Sequence, residues 1–345
     1  MSIEATSTSD PAVVPESMLA WQVTGVGEPA DVMALKEVAV PRPGPGQVLI
    51  DVWSSGLNFP DALMARGQYQ EQPDLPFTPG LELCGEIVGV GEGVDRVRLG
   101  ERVIGVASMP YGSLAKFAVA AAADVFPAPS LLDDAAASTF FITYQTGWFG
   151  LYRRANLRVG DTLLVHAAAG GVGSAAVQLG RAAGAKVIAV VGSADKVPVA
   201  RKLGAHVVID RSEQDVIAAV KDATEGKGVD VVYDPVGGPA YEVSKKVIAF
   251  EGRIVIVGFA SGQIPQAATN HVLVKNYSVV GLHWGLYRKQ NPALVARAHE
   301  DLCSLVEVGA LAPLVSRKLA FEEAPEGIVQ LAAGTTVGKL AVSPP

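Results

Sequence analysis

From Asp161 onward, short apolar strands alternate with amphipathic helices, and this alternation restricts the possible folds more than any other feature of the sequence. Six β-branched segments, from "TLLVH" at Thr162 to "YSVVGL" at Tyr277, are interleaved with helical patterns. Strands that are apolar on both faces are typical of a parallel sheet covered by helices on both sides. Right-handed crossovers then give the strand order 3-2-1-4-5-6. The sequence therefore predicts a doubly wound, parallel six-stranded α/β domain.

The chain before this alternation has a different pattern. From Met18 to about Phe140, short β-rich runs such as "QVLIDVWSSGLN" and "RVIGVA" are separated by clusters of Pro and Gly. This spacing indicates a β-barrel-like or sandwich unit. The C-terminal stretch is too short to fold alone and is expected to pair with the first unit. We predict a disordered tail at 1–17, a β-rich catalytic domain at 18–141 completed by 312–345, and a nucleotide-binding domain at 142–311.

Charge and cysteine content argue against several classes of protein. A formal net charge of -7 disfavours an electrostatic hold on nucleic acid or anionic lipid. The two cysteines, Cys84 and Cys303, have no metal-ligand spacing, so we expect free thiols in a reducing compartment. The N-terminus has no secretory pattern, and the longest uncharged window is too rich in Gly for a membrane span. We expect a cytoplasmic protein that binds neither nucleic acid nor membrane.

A glycine-rich turn, "HAAAGGVGSAAVQLG", follows the first strand of the alternation and opens a helix. Ala168 stands where the G-x-G-x-x-G fingerprint has its first Gly, Gly170 and Gly173 supply the other two, and Gly171 and Val172 lie between them. Small residues at a helix N-terminus allow backbone N-H groups to approach a diphosphate. The bare motif is weak evidence, but its place between a strand and a helix predicts dinucleotide binding.

The second strand ends in "VVGSADK", without the carboxylate that NAD-preferring enzymes place about 20 residues after the fingerprint. Ser193 and Lys196 offer a neutral donor and a cation there, which suits a ribose 2'-phosphate. Arg211, after the third strand, is a further candidate for that phosphate, or else a solvated surface residue. Asp195 suits the start of the next helix better than the ribose. The pattern favours NADPH over NADH.

Several strings together resemble one family. They are "HAAAGGVGSAAVQLGRAAGAKVIA", "GVDVVYDPVGG", "GRIVIVGFASGQIP", "KNYSVVGLHWG" and "SSGLNFPDAL". From about Met18 to Val342, the chain resembles the zeta-crystallin-like quinone oxidoreductase branch of the medium-chain dehydrogenase/reductase superfamily. The resemblance implies a GroES-like β-barrel catalytic domain, a Rossmann domain that binds NADPH, and a cleft between the two.

Zinc-dependent members of that superfamily carry a Cys early in the catalytic domain and a Gly-His-Glu further on. Here the corresponding strings are "SSGLNFPD" and "PGLELCGE", with Ser55 or Gly56 at the Cys position and Leu81 at the His position. No thiolate or imidazole stands at these points to complete a tetrahedral site, so we expect no metal. The resemblance then implies zinc-free hydride transfer to a quinone or to the β-carbon of an enone, which needs little acid catalysis.

The resemblance also assigns candidate residues on the catalytic side of the cleft. Asn58, in "GLN", corresponds to an Asn beside the nicotinamide ribose and substrate, and Asp61 follows closely. Both residue types also cap helices, which is the alternative interpretation. Tyr69 and Tyr144 are candidates to stack on a flat acceptor or to donate a hydroxyl proton, and each is equally compatible with a core position.

On the cofactor side, Thr143 in "FITYQTGW" matches a Thr that faces the cofactor in the family. Gly258, Phe259 and Ala260 follow a strand's carboxyl end, where open α/β sheets bind ligands, and the family places this loop along the nicotinamide. Relatives often carry an Arg shortly before the C-terminal Gly-Lys that reaches the 2'-phosphate. Gly334 is near that place here, which weakens the expectation of NADPH.

Two other functions remain open at this point. An enoyl-thioester reductase acting on acyl-CoA would need a basic rim, for which Arg66, Arg288 and Lys289 are candidates. A non-catalytic NADPH-binding or structural protein is the second, because no single residue here is indispensable to hydride transfer. The apolar sixth strand would also be an aggregation hazard if exposed, so we expect it to pair with its copy in a homodimer.

Overall fold

The computed structural model describes residues 14–345. Most of the tail predicted for 1–17 therefore lies outside the described residues. Within that range, Val14 packs against the apolar cluster around Met18, and Ser17 begins the first strand.

The described residues form strands and α-helices in the following order. The strands are β1 (Ser17–Val23), β2 (Met33–Ala39), β3 (Gln47–Gly56), β4 (Glu82–Val90), β5 (Arg102–Val106), β6 (Phe117–Ala121), β7 (Val125–Pro127), β8 (Thr162–Val165), β9 (Lys186–Val191), β10 (Val207–Asp210), β11 (Val229–Asp234), β12 (Ile248–Ile256), β13 (Ser278–Gly281), β14 (Val315–Leu319) and β15 (Lys339–Val342). The α-helices are α1 (Pro29–Val32), α2 (Phe59–Ala65), α3 (Asp134–Ala137), α4 (Phe141–Trp148), α5 (Gly171–Ala182), α6 (Val197–Lys202), α7 (Val216–Ala223), α8 (Pro239–Val247), α9 (Thr269–Lys275), α10 (Trp284–Gln290), α11 (Pro292–Glu307) and α12 (Ala324–Ala332). Among the described residues, no helix combines the length and the apolar character that a bilayer crossing needs.

The second half of the chain forms a parallel six-stranded sheet in the order β10-β9-β8-β11-β12-β13. In chain order this is 3-2-1-4-5-6, which confirms the predicted topology. Helices cover both faces of this sheet. Successive side chains of a strand point to opposite sides, and here both sides are packed in apolar clusters. In β8, Leu163 and Val165 join one apolar cluster and Leu164 joins the other. The β13 strand is at the edge of this sheet.

The first half of the chain, together with the last two strands, forms a seven-stranded sheet in the order β14-β15-β3-β4-β5-β7, with β6 also paired to β3. The C-terminal strand β15 lies between β14 and β3, antiparallel to β3 and parallel to β14. A separate hairpin of β1 and β2 is tied to the C-terminal segment, because the Trp21 indole N-H donates to the Phe321 carbonyl at 2.8 Å. The C-terminal segment thus completes this GroES-like domain, while the residue boundaries given above remain predictions.

Small residues bring α5 close to the nucleotide-binding sheet. A Cβ atom at Gly173 would lie 2.1 Å from the Ala167 carbonyl oxygen, and one at Gly180 would lie 2.4 Å from Leu163 Cδ2. Real Cβ atoms do not approach backbone oxygen so closely, so Gly173 allows the helix to pack against the turn that precedes it. The helix N-terminus therefore lies directly over the carboxyl end of β8.

The two domains meet at this helix N-terminus. The Gly338 N-H donates to the Ala169 carbonyl at 2.6 Å, and Gly170 forms an isolated β-bridge with Gly338. The residue after Gly338 is the first of β15, which is paired with the catalytic sheet. The start of β15 thus connects the glycine-rich turn to the catalytic domain.

Candidate active site

The turn between β8 and α5 exposes backbone donors. Gly170 is the N-cap residue of α5, and Ala167 adopts a left-handed conformation with φ of 49°. Ala168 is buried and its N-H donates to the Val190 carbonyl at 3.0 Å, so the turn is fastened to β9. The first N-H groups of a helix lack intrahelical partners and attract anions. At this turn those groups belong to Gly171, Val172 and Gly173.

Side chains from two other segments pack close to the turn at Gly171. A Cβ atom at Gly171 would lie 3.0 Å from Lys339 Cδ and 3.6 Å from Thr143 Cγ2. Thr143 is buried, and its hydroxyl donates to the Thr139 carbonyl at 2.8 Å. The turn, Thr143 and Lys339 therefore lie together, and the N-H groups without intrahelical partners at the start of α5 are donors that suit the diphosphate of a dinucleotide.

The carboxyl ends of β9 and β10 bring together the residues predicted for the ribose. The Arg211 guanidinium lies over Gly192, 3.4 to 3.8 Å from the position of a Cβ there. The Lys196 ammonium donates to the Gly334 carbonyl at 3.1 Å. Ser193 donates to the Asp195 carboxylate, and this hydrogen bond lowers the pKa of Asp195. Two cations therefore flank the end of β9, and one of them reaches the place where relatives carry their Arg.

The predicted nicotinamide loop follows β12. The Ala260 N-H donates to the Pro235 carbonyl at 3.1 Å, so the loop is held against the end of β11. Phe259 is partly exposed, and its ring lies beside Gly237. A Cβ atom at Gly258 would lie 3.3 Å from the Pro235 carbonyl oxygen. This places the loop at the edge of the sheet where its parallel strands end.

A buried polar network surrounds Asn58. The Asn58 side-chain N-H groups donate to the Gly56 carbonyl at 2.9 Å and to Glu82 Oε2 at 3.0 Å. The Lys339 ammonium donates to Asn58 Oδ1 at 2.5 Å, to the Leu57 carbonyl at 2.7 Å and to Glu82 Oε2 at 3.1 Å. All three side chains are buried. Every proton of the Lys339 ammonium therefore has a partner inside the protein.

Glu82 and Lys339 are residues of this network that the sequence prediction missed. They are 0% and 4% exposed. Charged residues are almost never so buried unless they are paired. A signal was present, because Glu82 and Lys339 each stand in a strand whose other residues are mostly apolar. Nothing in the sequence indicates that these two charges meet.

Asp61 has a position that favours the capping role over a catalytic one. Its carboxylate accepts from the Asn58 N-H at 2.8 Å and from the Gly80 N-H at 3.3 Å. It stands in the first turn of α2, whose N-cap residue is Asn58. Burial raises the pKa of Asp61 to about 6, and the hydrogen bond from Asn58 partly opposes that rise.

The two candidate tyrosines have different surroundings. Tyr144 is buried, packs on Phe140 with ring centroids 4.6 Å apart, and accepts a hydrogen bond from Gln178 Nε2 at 2.9 Å. This environment favours its core interpretation. Tyr69 is only half-buried and packs at the edge of the cluster that contains Leu57. Burial, with a contribution from the Glu71 charge, raises the pKa of Tyr69.

Ser55 or Gly56, and Leu81, which correspond to zinc ligands in the superfamily that the sequence resembles, do not fit a metal. The Ser55 hydroxyl shares a hydrogen bond of 2.6 Å with the Ser113 hydroxyl, and Leu81 packs among apolar side chains. Throughout residues 14–345, no three His, Cys, Asp or Glu side chains come together as a metal site would require. We therefore derive no step through a metal ion.

Comparisons with known proteins agree with this architecture. Residues 44–130 match the alcohol dehydrogenase GroES-like domain, and residues 171–300 match a family described as zinc-binding dehydrogenase. A quinone oxidoreductase-like protein 2 homolog from Nematostella vectensis is 37% identical over 302 residues, covering 87% of this chain and 82% of that protein. The chain belongs to the quinone oxidoreductase branch of the medium-chain dehydrogenase/reductase superfamily.

Two solved structures extend the likeness. A mycobacterial protein in complex with NADPH has a TM-score of 0.88 at 29% identity, and the match covers 95% of this chain and 100% of that chain. A quinone oxidoreductase from Pseudomonas syringae pv. Tomato has a TM-score of 0.87 at 30% identity, with the same coverage. This quinone oxidoreductase branch member is therefore an oxidoreductase with a nicotinamide cofactor.

The buried Asp61 predicts a pH dependence of stability in this branch member. Its pKa is raised from 3.8 to about 6 on folding, so the folded state holds the proton more tightly than the unfolded state. Relative to the Asp61→Asn variant, the stability of the wild type is greatest below about pH 4 and is lost as the pH rises through 6. The expected loss is about 3 kcal/mol. Urea unfolding of both proteins between pH 4 and 7 measures it.

The exposed Asp31 of α1 supplies the matched control, Asp31→Asn, which removes one carboxylate without removing a buried one. Its stability difference from the wild type should show no such drop between pH 4 and 7. If the difference between the wild type and Asp61→Asn is also constant across this range, the buried carboxylate does not titrate as described.

Proposed function

We propose that the protein is a cytoplasmic, zinc-independent, NADPH-dependent oxidoreductase that transfers hydride to a quinone or an α,β-unsaturated carbonyl compound. The observation that carries this proposal is the combination of a glycine-lined turn and a basic pair at the ribose end with the non-ligating residues Ser55 or Gly56 and Leu81 at the positions that correspond to zinc ligands. We call the region between the glycine-rich turn and Asn58 the crevice. Bound NADPH supplies the hydride. The protein supplies binding, orientation and polar groups for the acceptor.

Different parts of the cofactor are bound by different groups of residues. The N-H groups at the start of α5 bind the diphosphate, and Ser193, Lys196 and Arg211 bind the 2'-phosphate. Thr143 and the loop of Gly258, Phe259 and Ala260 border the nicotinamide, and Asn58 faces them from the catalytic domain.

The acceptor needs a hydrogen-bond donor rather than a strong acid, because conjugation spreads the developing negative charge to its oxygen. Tyr69 is the best candidate for that donor among the residues around the crevice. Its hydroxyl is protonated at neutral pH, since the ordinary pKa of tyrosine is about 10 and burial raises the pKa of Tyr69 further. Asp61 is unsuited, since its two oxygens already accept backbone hydrogen bonds.

The alternative of an acyl-CoA reductase is disfavoured by the pairing of the candidate rim cations. Arg66 donates twice to Glu28, at 2.9 and 2.7 Å. Arg288 donates twice to Asp124, at 3.1 and 3.0 Å, and Lys289 is paired with Glu71. A CoA phosphate would have to compete with a carboxylate at each of the three cations. Neutral acceptors such as quinones and enones have no such competition.

An acceptor panel tests this function. Purified protein is assayed with a benzoquinone, a simple enone and crotonyl-CoA, each with NADPH and with NADH. We expect NADPH oxidation with the quinone or the enone, and a kcat/KM for crotonyl-CoA at least about tenfold lower. Gly173→Ala should abolish turnover, since its Cβ would lie 2.1 Å from the Ala167 carbonyl oxygen, while Gly25→Ala, with open space around it, should not.

The other functions predict different results in the same panel. The fastest turnover with crotonyl-CoA would identify an enoyl-thioester reductase. Binding of NADPH without oxidation by any acceptor would identify a non-catalytic protein.

The preference for NADPH has its own test. Ser193→Asp adds a charge that repels a 2'-phosphate, and Arg211→Gln removes a cation that attracts it. Each should lower the ratio of kcat/KM for NADPH to that for NADH by about tenfold or more, the usual effect of one charge-assisted contact. Lys221→Gln, at the far end of α7, should leave the ratio unchanged. An unchanged ratio in both test variants would place the phosphate elsewhere.

We also propose a homodimer formed through the edge strand β13. The half-buried Val279 and Val280 lie on this edge, and Leu273 and Val274 of the preceding α9 are 77% and 78% exposed. Light scattering at micromolar concentration should give twice the chain mass for the wild type. Val279→Lys should shift the mass toward one chain, because lysine disfavours edge-to-edge pairing. A wild-type monomer would contradict the proposal.

A further inference from the structure

We propose that Lys339 is a positioning residue that fixes the Asn58 amide and the glycine-rich turn relative to each other, with Glu82 as its counter-charge. The inference rests on the proposed function, because the geometry that it fixes is that of the cofactor crevice. It assigns to Lys339 an effect on cofactor binding and turnover that is separable from its effect on stability.

Three neighbours determine the orientation of the Asn58 side-chain amide. On one side of the amide, the neighbours are the Gly56 carbonyl and Glu82 Oε2, which are acceptors only. On the other side is the Lys339 ammonium, which is a donor only. A flipped amide would place its N-H groups against the ammonium and its oxygen against two oxygens. The three neighbours therefore impose a single orientation on Asn58.

The same contacts determine what Asn58 offers to a bound molecule. Both of its side-chain N-H protons are engaged within the protein, whereas Oδ1 keeps one lone pair beyond the bond from Lys339. Asn58 in this arrangement acts toward a ligand as a hydrogen-bond acceptor. Loss of Lys339 would remove the donor that holds Oδ1, so that only the acceptors on the N-H side would still fix the amide.

The Lys339 side chain also joins several elements of the structure. The Lys339 side-chain stem lies against Gly171 of the turn, with Cδ 3.0 Å from the position of a Cβ there. Its head binds the Leu57 carbonyl just before α2 and the carboxylate of Glu82 in β4. Glu82 Oε1 accepts in turn from the Ile142 N-H at 2.8 Å, at the start of α4. The turn, α2, β4 and α4 thus meet through one ion pair.

The effect of Lys339 on stability can be separated from its effect on positioning by removing its charge alone and then together with the charge of Glu82. Lys339→Met leaves Glu82 buried without a counter-charge, so the variant should lose both stability and cofactor affinity. The double variant Lys339→Met/Glu82→Gln has no buried net charge and should recover most of the thermal stability. If Lys339 positions Asn58, the double variant should still bind NADPH about tenfold more weakly and keep a lowered kcat, the expected effect of about one hydrogen bond.

Action through Asn58 predicts non-additive effects. Asn58→Ala alone should weaken NADPH binding by a similar factor, and adding it to the double variant should weaken binding by less than about twofold further. Calorimetric titration measures these affinities without turnover. Exchange of the Asn58 side-chain amide protons in the cofactor-free protein, followed by NMR, should be faster in the double variant.

Lys318→Met is the matched control. Lys318 lies on the neighbouring strand β14 in an exposed pair with Asp133, at 2.9 Å. Its removal should leave NADPH affinity and kcat unchanged.

The possible outcomes separate this inference from the proposed function. Full recovery of affinity and kcat together with stability in the double variant would overturn the positioning role, as would a fully additive effect of Asn58→Ala. Wild-type protein that binds NADPH but reduces no acceptor would overturn the proposed function alone, because the affinity series still tests Lys339. Wild-type protein that binds neither nicotinamide nucleotide would overturn both.

Discussion

A buried ion pair between Lys339 and Glu82 is the interaction on which the geometry of the crevice depends. Both side chains are almost completely excluded from water, and each fills its remaining hydrogen-bonding capacity with partners from other elements. Removal of one member of such a pair typically costs about 3–5 kcal/mol, because the other charge is left uncompensated. The same contacts connect the glycine-rich turn to the catalytic domain, so the two sides of the cofactor crevice are aligned by one local interaction.

The glycine-rich turn depends on the absence of side chains at its glycines, whereas the Lys339–Glu82 ion pair acts through side chains. Gly173 lets α5 pack against the Ala167 carbonyl, and the Lys339 stem lies against Gly171, where a Cβ atom would be 3.0 Å from Lys339 Cδ. The crevice beside them has Ser55 or Gly56 and Leu81 at the positions that correspond to zinc ligands in zinc-dependent superfamily members. Its polar groups are amide, hydroxyl and carboxylate oxygens already engaged in hydrogen bonds, which is consistent with chemistry carried mainly by a cofactor.

The features predicted correctly from the sequence are those encoded by local pattern. Alternation of apolar strands and helices predicted the six-stranded order, and the run from Ala168 to Gly173 predicted a tight turn at a helix start. Pairings between distant segments were not predictable in the same way. Lys339 and Asn58 are 281 residues apart, and the lone charge of Lys339 in an apolar strand does not indicate which residue it meets. Asp61 was ambiguous because a helix cap and a catalytic acid use the same residue type, and only the backbone donors around it favour the cap.

The position of β15 between β14 and β3 has a consequence for how the protein is made. The β3 strand is synthesised early, whereas its neighbour Ala341 is added only after the whole nucleotide-binding domain has been translated. The nucleotide-binding sheet contains only strands from β8 to β13, so its contacts are complete while the chain is still growing. In the catalytic sheet, β6 already pairs with Gln47–Asp51 of β3, whereas Ser55 and Gly56 at the end of β3 have to wait for β15. The pairing of β15 with β3, and the contacts of Lys339 at the start of β15, therefore cannot form before the strands of the nucleotide-binding sheet have been synthesised.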